Sequence, residues 1–241
     1  GYGVSMVTLY YTRRYQQYLL DLFSAVEFDQ VEVSAEIYQL LNAIDGTFTD
    51  NKHLLNSKIS DADRKKVLDR LGLAGGEFRS GIYENAFSGD RVSVKTADLV
   101  AFFELSLEFI DHTIAANRRE DGLYHAYNLM TAGQDTVEIT NLYEMLEGQV
   151  AVLSSGYLKP EEALDVLVAL RQSAVYTERQ NSYLLYPDRE LTRFIDKNII
   201  AEADIQRSAL LKALVSAGDT SLVVKSSQGG YHFNGGFNNV V

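Results

Sequence analysis

Residues 121–128, DGLYHAYN, bring a carboxylate, two tyrosines, a histidine and an amide together around one glycine. Carboxylates and amides bind sugar hydroxyls, and tyrosine rings stack on the apolar face of a pyranose while their hydroxyls stay in water. This combination predicts a saccharide-binding site whose contacts are Asp121, Tyr124, His125, Tyr127 and Asn128. In the structural alternative, Asp121 caps the segment that follows and the tyrosines belong to the core.

Two other segments share part of this pattern. SGIYENAF at residues 80–87 and GGYHFNGG at residues 229–236 also contain Gly-x-Tyr followed by Glu or His. The first copy lies 41 residues before the second, about the length of a helical hairpin, although the third does not continue that spacing. The pattern predicts related loops at one end of successive hairpins and adds His232 to the substrate-binding residues.

Two carboxylates are needed to cleave a glycosidic bond, one as acid and the other as base or nucleophile. The acidic side chains on or beside the aromatic segments are Glu84, Asp121, Glu144, Glu147 and Asp188. Of these, Glu84 and Glu147 are the predicted catalytic acid/base pair. The chain has no tryptophan, the side chain that most often stacks on sugars, and its 15 tyrosines compensate for this only in part.

Metal and cofactor chemistry is poorly represented. The absence of cysteine excludes disulfides, thiolate zinc sites and cysteine nucleophiles. The four histidines form no H-E-x-x-H arrangement, and EFIDH at residues 108–112 is better explained as a hydrated helix face. No P-loop, dinucleotide-binding glycine motif or G-x-S-x-G motif is present. We therefore predict no metal site and no cofactor.

The formal net charge of -11 and the absence of a basic stripe argue against a nucleic-acid partner. No apolar run approaches the ~20 residues that cross a membrane, so no membrane partner is expected. The lack of cysteine and of a signal peptide favours a cytoplasmic over a secreted protein. Because neither end resembles a natural terminus, we expect a fragment of a longer polypeptide. Its expected partners are a saccharide and flanking domains, while its oligomeric state is left open.

Helical periodicity extends over most of the chain. The predicted helices cover residues 7–26, 34–44, 61–76, 96–117, 138–155, 160–173, 191–197 and 203–218. Ser60 followed by Asp63 is typical of a capped helix start, and the glycines at 75 and 76 are typical of a helix end. Pro160 marks a first helical position. A short extended piece is predicted at residues 220–227.

Long connections rich in aromatic residues interrupt these helices, at residues 73–95, 118–137, 174–190 and 217–241. Each exceeds the ~12–15 residues typical of loops in compact domains, and the aromatic content favours ordered loops over disordered linkers. The predicted fold class is mainly α, with antiparallel α-hairpins forming an α/α toroid or partial toroid with long aromatic loops. We expect one helical domain over residues 1–241, with N-terminal helices at 1–72 and hairpins with Gly-x-Tyr loops at 73–241.

Four segments carry a resemblance to a known group of proteins. REDGLYHAYNLM, LYEMLEGQVAVLSSGYL, QNSYLLYPDRELTRFIDKN and GGYHFNGGF resemble a helical region of large uncharacterised bacterial proteins that are loosely similar to cellobiose phosphorylases and other six-hairpin glycosidases. The resemblance covers roughly residues 75 to 241 and implies an α/α toroid with carbohydrate-directed chemistry. The phosphorylase acid motif, an Asp flanked by Trp, is absent because the chain has no tryptophan. Catalytic residues are therefore not carried over.

Two functions from different classes follow from the sequence. The first is a carbohydrate-active or carbohydrate-binding helical domain of a glycosidase- or phosphorylase-like protein. The alternative is a non-catalytic structural or interaction domain, in which the aromatic segments pack on a neighbouring domain or on a second copy.

Overall fold

The computed structural model describes residues 3–192, 197–227 and 229–236. The chain forms two compact units, residues 1–188 and residues 189–241. The division predicted between residues 72 and 73 falls inside a long helix. The helix predicted at residues 191–197 lies largely outside the described residues.

Helices with clear capping signals build most of the first unit. They are α1 (Met6–Ala25), α2 (Ala35–Asn51), α3 (Asp61–Asn85), α4 (Thr96–Ala116), α5 (Leu146–Ser154) and α6 (Pro160–Gln172), with 3₁₀ turns at Lys52–Asn56 and Glu178–Gln180. The hydroxyls of Ser5, Ser34 and Ser60 each accept a hydrogen bond from the backbone N–H three residues later. Pro160 begins α6 as predicted. None of the described helices is long and apolar enough to cross a membrane.

Small antiparallel sheets connect these helices. Their strands are β1 (Gly3–Ser5), β2 (Gln30–Ser34), β3 (Arg91–Lys95), β4 (Tyr127–Ala132), β5 (Val137–Asn141), β6 (Tyr176–Thr177) and β7 (Ser182–Tyr183). Strand β4 lies between β1 and β5, while β2 pairs with β3 and β6 pairs with β7. Val31 lies opposite Val94 and Val33 opposite Val92, so the alternate valines of both strands share one face.

Two apolar clusters hold the first unit together, one at each end of α1. The buried residues of the first cluster include Met6, Tyr10, Ile114, Tyr124 and Val152. Those of the second are Val94, Leu99 and Phe103, with Leu19 and Phe23 packed against them. Because α1 and α4 contribute to both clusters, this helix pair is the framework on which the other elements are placed.

The second unit contains α7 (Glu202–Arg207), α8 (Ala209–Ala217), β8 (Val223–Lys225) and β9 (Tyr231–Phe233). The helix predicted over residues 203–218 is divided at Ser208, whose hydroxyl accepts a hydrogen bond from the Leu211 N–H and so begins α8. Strand β8 lies within the extended piece predicted at 220–227 and pairs with β9. The buried core of the second unit consists of Ile205, Val223 and Tyr231.

The predicted mainly α toroid is wrong. The described residues combine helices with several small antiparallel sheets, which is a mixed α/β structure. The helix predicted at 138–155 is divided into strand β5 and helix α5. Val137 of β5 is buried and Glu138 is exposed, and the N–H of Gly133 closes the turn before β5 by donating to the Thr136 carbonyl over 2.8 Å. This alternation is the period of a strand rather than of a helix.

The prediction of a long loop at residues 73–95 is also wrong. Helix α3 continues through the glycines at 75 and 76 to Asn85. Ala74, Phe78 and Ile82 recur every four residues and line the groove between α3 and α2. Packing of this stripe overrides the low helix propensity of glycine. As a result, the first Gly-x-Tyr segment is mostly helical, and the three segments are not equivalent loops.

Candidate functional site

The DGLYHAYN segment connects the end of α4 to β4. Gly122 has φ of +83°, a conformation that residues with a Cβ rarely adopt, and it lets the chain reverse after Asn117. The N–H of Gly122 donates to the Arg119 carbonyl over 3.1 Å, and the N–H of Arg119 donates to the Leu123 carbonyl over 2.8 Å. The segment is therefore a hydrogen-bonded turn rather than an open loop.

Asp121 is held by Arg119. The Arg119 guanidinium donates to both carboxylate oxygens, with Nη2 at 2.7 Å from Oδ2 and Nε at 3.1 Å from Oδ1. Asp121 Oδ1 also accepts the Leu123 N–H at 3.1 Å. Burial raises the pKa of Asp121, but the Arg119 and Leu123 hydrogen bonds outweigh it and leave that pKa below its usual value. Arg119 also contacts Glu144 at 3.4 Å, so Asp121 belongs to an ion-pair network.

Tyr124 lies in the first apolar cluster, where only 3% of its surface is exposed. Its backbone is paired with the side chain of Gln149, which is fully buried. The Tyr124 N–H donates to Gln149 Oε1 over 2.8 Å, and Gln149 Nε2 donates to the Tyr124 carbonyl over 2.8 Å. Gln149 thus acts as a strand partner for this part of the segment and attaches it to α5.

His125 and Asn128 are also buried. The His125 N–H donates to the Asn117 carbonyl over 3.0 Å, and its own carbonyl accepts the Tyr10 hydroxyl at 2.7 Å. Asn128 Nδ2 donates to Asn117 Oδ1 over 2.7 Å. These bonds fix the segment to α1 and to Asn117 at the C-terminal end of α4.

The structure brings Tyr127 and Glu147 together at the start of β4 and α5. Burial raises the pKa of Tyr127, the adjacent Glu147 carboxylate raises it further, and Ser5 opposes the change. Gly148 allows this approach, because a Cβ built on it would lie 2.9 Å from the Ala126 Cβ. Glu147 is therefore positioned by close packing of α5 on the DGLYHAYN segment.

Glu84 lies in a different part of the first unit. It is exposed in the last turn of α3, four residues before Ser88, whose N–H donates to Glu36 Oε1 over 2.7 Å. Glu36 follows β2, which packs in the second cluster. Glu147 lies near Ala126, whose carbonyl accepts the Met6 N–H in the first cluster. The structure does not bring Glu84 and Glu147 together, and their pairing as acid and base stays a prediction.

His232 belongs to the second unit. It lies on β9 opposite Val224, and its Nδ1 is 3.1 Å from the Asn198 carbonyl oxygen. It therefore lies in a two-stranded sheet, whereas His125 lies in the connection between α4 and β4. A saccharide contact by His232 stays a prediction.

Two depressions of the surface lie away from the DGLYHAYN segment. One of about 400 Å³ is lined by residues of the α1–β2 connection and the start of α4, including Phe28 and Lys95. Another of about 140 Å³ is the groove between α2 and α3. Neither is lined by a predicted site residue. Among the residues that the structure describes, no group of His, Cys, Asp or Glu could hold a metal ion.

Buried His125 gives a pH-dependent prediction. Burial, followed by the positive charge of Arg119, lowers the pKa of His125 in the folded state. The unfolded chain therefore binds a proton below about pH 6.5 that the folded chain takes up only at lower pH, so the free energy of unfolding falls as the pH drops below that value.

Between pH 7.5 and 5.5, values that bracket this titration, we expect the free energy of unfolding to fall less for His125→Gln than for the unmodified chain. Urea unfolding measures this, with the exposed His53→Gln as control; equal losses in both variants would contradict it.

Three residues that organise this region are not among the predicted site residues. Arg119 binds Asp121, Gln149 pairs with Tyr124, and Gly148 packs on Ala126. A sequence signal existed for Gln149 and Gly148, because Gly-Gln in the apolar run of α5 places an amide and a missing side chain on a buried helix. Arg119 and Asp121 are two residues apart, which gave no such signal.

Residues 191–241 match the family model of GH149 phosphorylase insertion domain 2. The matched residues almost coincide with the second compact unit and form about a fifth of the chain. No curated protein matches the chain. The match links the chain to glycoside phosphorylases and so confirms part of the resemblance inferred from the sequence. The wider resemblance over residues 75 to 241 stays a prediction.

Proposed function

We propose that this chain is a non-catalytic, structural part of a glycoside phosphorylase-related protein and packs against its flanking domains. The supporting observation is that several polar groups of DGLYHAYN form hydrogen bonds within the chain. Asp121 is bound by Arg119, and the backbone of Tyr124 is paired with Gln149. The match of residues 191–241 to a phosphorylase insertion domain supports the carbohydrate context.

A phosphorolysis assay tests this proposal. The purified chain is incubated with short β-glucans and inorganic phosphate, and sugar phosphate is measured as product. We expect no product from chain that circular dichroism shows to be folded. Phosphate-dependent product that is lost in both Glu84→Gln and Glu147→Gln would contradict the proposal and support the predicted acid/base pair instead.

Saccharide binding without catalysis is the second candidate, and one surface favours it. The Asp121 side chain is 43% exposed despite its ion pair. Arg119 joins it to Glu144. Next to Glu144 along the chain, Tyr143 packs edge-on against the exposed Tyr186, with ring centroids 6.4 Å apart. Charged groups beside an accessible tyrosine are the side chains that a sugar requires.

Calorimetry with short β-glucans separates this candidate from the structural role. If the surface binds a saccharide, Asp121→Asn and Tyr186→Ala each weaken binding, whereas Tyr83→Ala, at an exposed tyrosine of α3, does not. A heat of glucan binding that none of the three substitutions changes would exclude this surface as the saccharide-binding site.

A further inference from the structure

Helix α1 has two apolar faces, and only one of them is covered by the described residues. Its inner face packs against α4 and α5 and contains Met6, Tyr10, Leu19, Leu20 and Phe23. Its outer face is exposed; the exposed fractions are 45% for Tyr11, 60% for Tyr15, 60% for Tyr18 and 43% for Leu22. A helix that is apolar on both sides is normally buried on both sides.

The spacing of the outer face fits a helical partner. The intervals from Tyr11 to Tyr15, Tyr18 and Leu22 are four, three and four residues, which is the core repeat of a coiled coil. Arg14 and Asp21 are exposed beside this stripe, one heptad apart. They occupy equivalent flanking positions and have opposite charges. Asp21 accepts a hydrogen bond from Gln17 through Oδ1, so its other carboxylate oxygen is available to a partner.

We propose that the outer face of α1 binds the same face of a second copy of this chain, with the two helices antiparallel and related by a twofold axis between Gln16 and Gln17. In this register Tyr11 packs on Leu22 of the second copy, and Tyr15 packs on its Tyr18. Each contact occurs twice, as an isologous interface requires.

The flanking charges favour this orientation. In the antiparallel register, Arg14 of each copy lies beside Asp21 of the other, because equivalent flanking positions face each other across an antiparallel pair. In a parallel pairing, Arg14 would lie beside Leu19 of the second copy and Asp21 beside its Val26, so neither charge would have a partner of opposite sign. Four large side chains per copy make an interface below the ~1,200–2,000 Å² of stable complexes. We therefore expect a weak dimer with a dissociation constant on the order of 10⁻⁵ M.

Sedimentation equilibrium of the full 241-residue chain at ~0.15 M salt tests the proposal, since this salt screens the repulsion between two chains of formal charge -11. Over ~5–500 µM chain, a range that brackets the expected constant, we expect a monomer–dimer equilibrium. Arg14→Asp and Asp21→Arg each replace both ion pairs with like charges, so each raises the dissociation constant at least about tenfold. The double variant exchanges the two charges, and we expect its dissociation constant to lie within about threefold of that of the unmodified chain.

Leu164→Ser, at an exposed position of α6, is the matched control and leaves the dissociation constant unchanged. Circular dichroism checks that every variant is folded, which is expected because all these positions are exposed. A chain that stays monomeric over the whole range would overturn the proposal and leave a flanking domain as the occupant of this face. A double variant as weak as the single variants would overturn the antiparallel register.

Discussion

Replacing Gln149 with alanine is expected to lower the free energy of unfolding by about 3–5 kcal/mol, enough to unfold a marginally stable unit. Gln149 is fully buried and makes three hydrogen bonds, to the Tyr124 N–H, the Tyr124 carbonyl and the Met145 carbonyl. The alanine variant leaves the N–H and carbonyl of Tyr124 without partners in a water-free environment and also leaves a cavity. Each unpaired buried group costs about 1–3 kcal/mol, and the cavity adds to that cost.

Urea unfolding followed by circular dichroism measures the effect, with Gln172→Ala as the control. Gln172 is the last residue of α6 and is exposed, so its replacement should change the free energy of unfolding by less than about 0.5 kcal/mol. A similar small effect at Gln149 would mean that the Tyr124 backbone finds other partners, and would contradict the role assigned to this amide.

The helical framework could be predicted from the sequence because its signals are local. The apolar stripe of α4, the hydroxyl of Ser60 and the fixed φ of Pro160 each act within a few residues of themselves. A local signal also exists for β2 and β3, because the valines at 31, 33, 92 and 94 alternate with the period of a strand. This signal was not used in the sequence analysis, and no strand was predicted there.

The course of α3 and of β5 could not be predicted so directly. The glycines at 75 and 76 argue for a helix end, and the packing of α3 against α2, on the face that contains Phe78 and Ile82, overrides them. In β5, the period of Val137 and Ile139 competes with helical spacing that continues into α5. Both outcomes depend on a partner that is distant in the sequence. The toroid prediction depends on related Gly-x-Tyr loops between successive helical hairpins, and the continuation of α3 to Asn85 removes the first of these loops.

The candidate site shows the same limit. The sequence shows that Asp121, His125 and Asn128 are polar, but it does not show which groups they contact. Arg119 binds the Asp121 carboxylate, and Asn117 accepts hydrogen bonds from the backbone N–H of His125 and from the side-chain amide of Asn128. The same residue types would suit a sugar or an internal hydrogen-bond network, because both require donors and acceptors at short range. Their partners, Asn117 at the C-terminal end of α4 and Arg119 in the turn, are in place only once the chain has folded.

Gly148→Ala should also destabilise the first unit, by about 2–3 kcal/mol, although alanine is the better helix former. A Cβ on Gly148 would lie 2.9 Å from the Ala126 Cβ and 3.0 Å from its Cα and N. Two of these atoms are backbone, which is fixed because the Ala126 carbonyl accepts the N–H of Met6 at 2.9 Å. Helix α5 must therefore move away from the DGLYHAYN segment, which weakens the bonds of Gln149 to Tyr124.

The same substitution at Gly72 provides a matched control with the opposite sign. Gly72 lies in the interior of α3, is exposed, and has no atom within 4 Å of a Cβ built on it. Alanine there should raise the free energy of unfolding by about 0.5–1 kcal/mol through helix propensity alone. Urea unfolding of both variants compares a steric effect with a conformational one in a single experiment. If Gly148→Ala stabilised the chain as Gly72→Ala does, α5 could not be packed on Ala126 as closely as the structure places it.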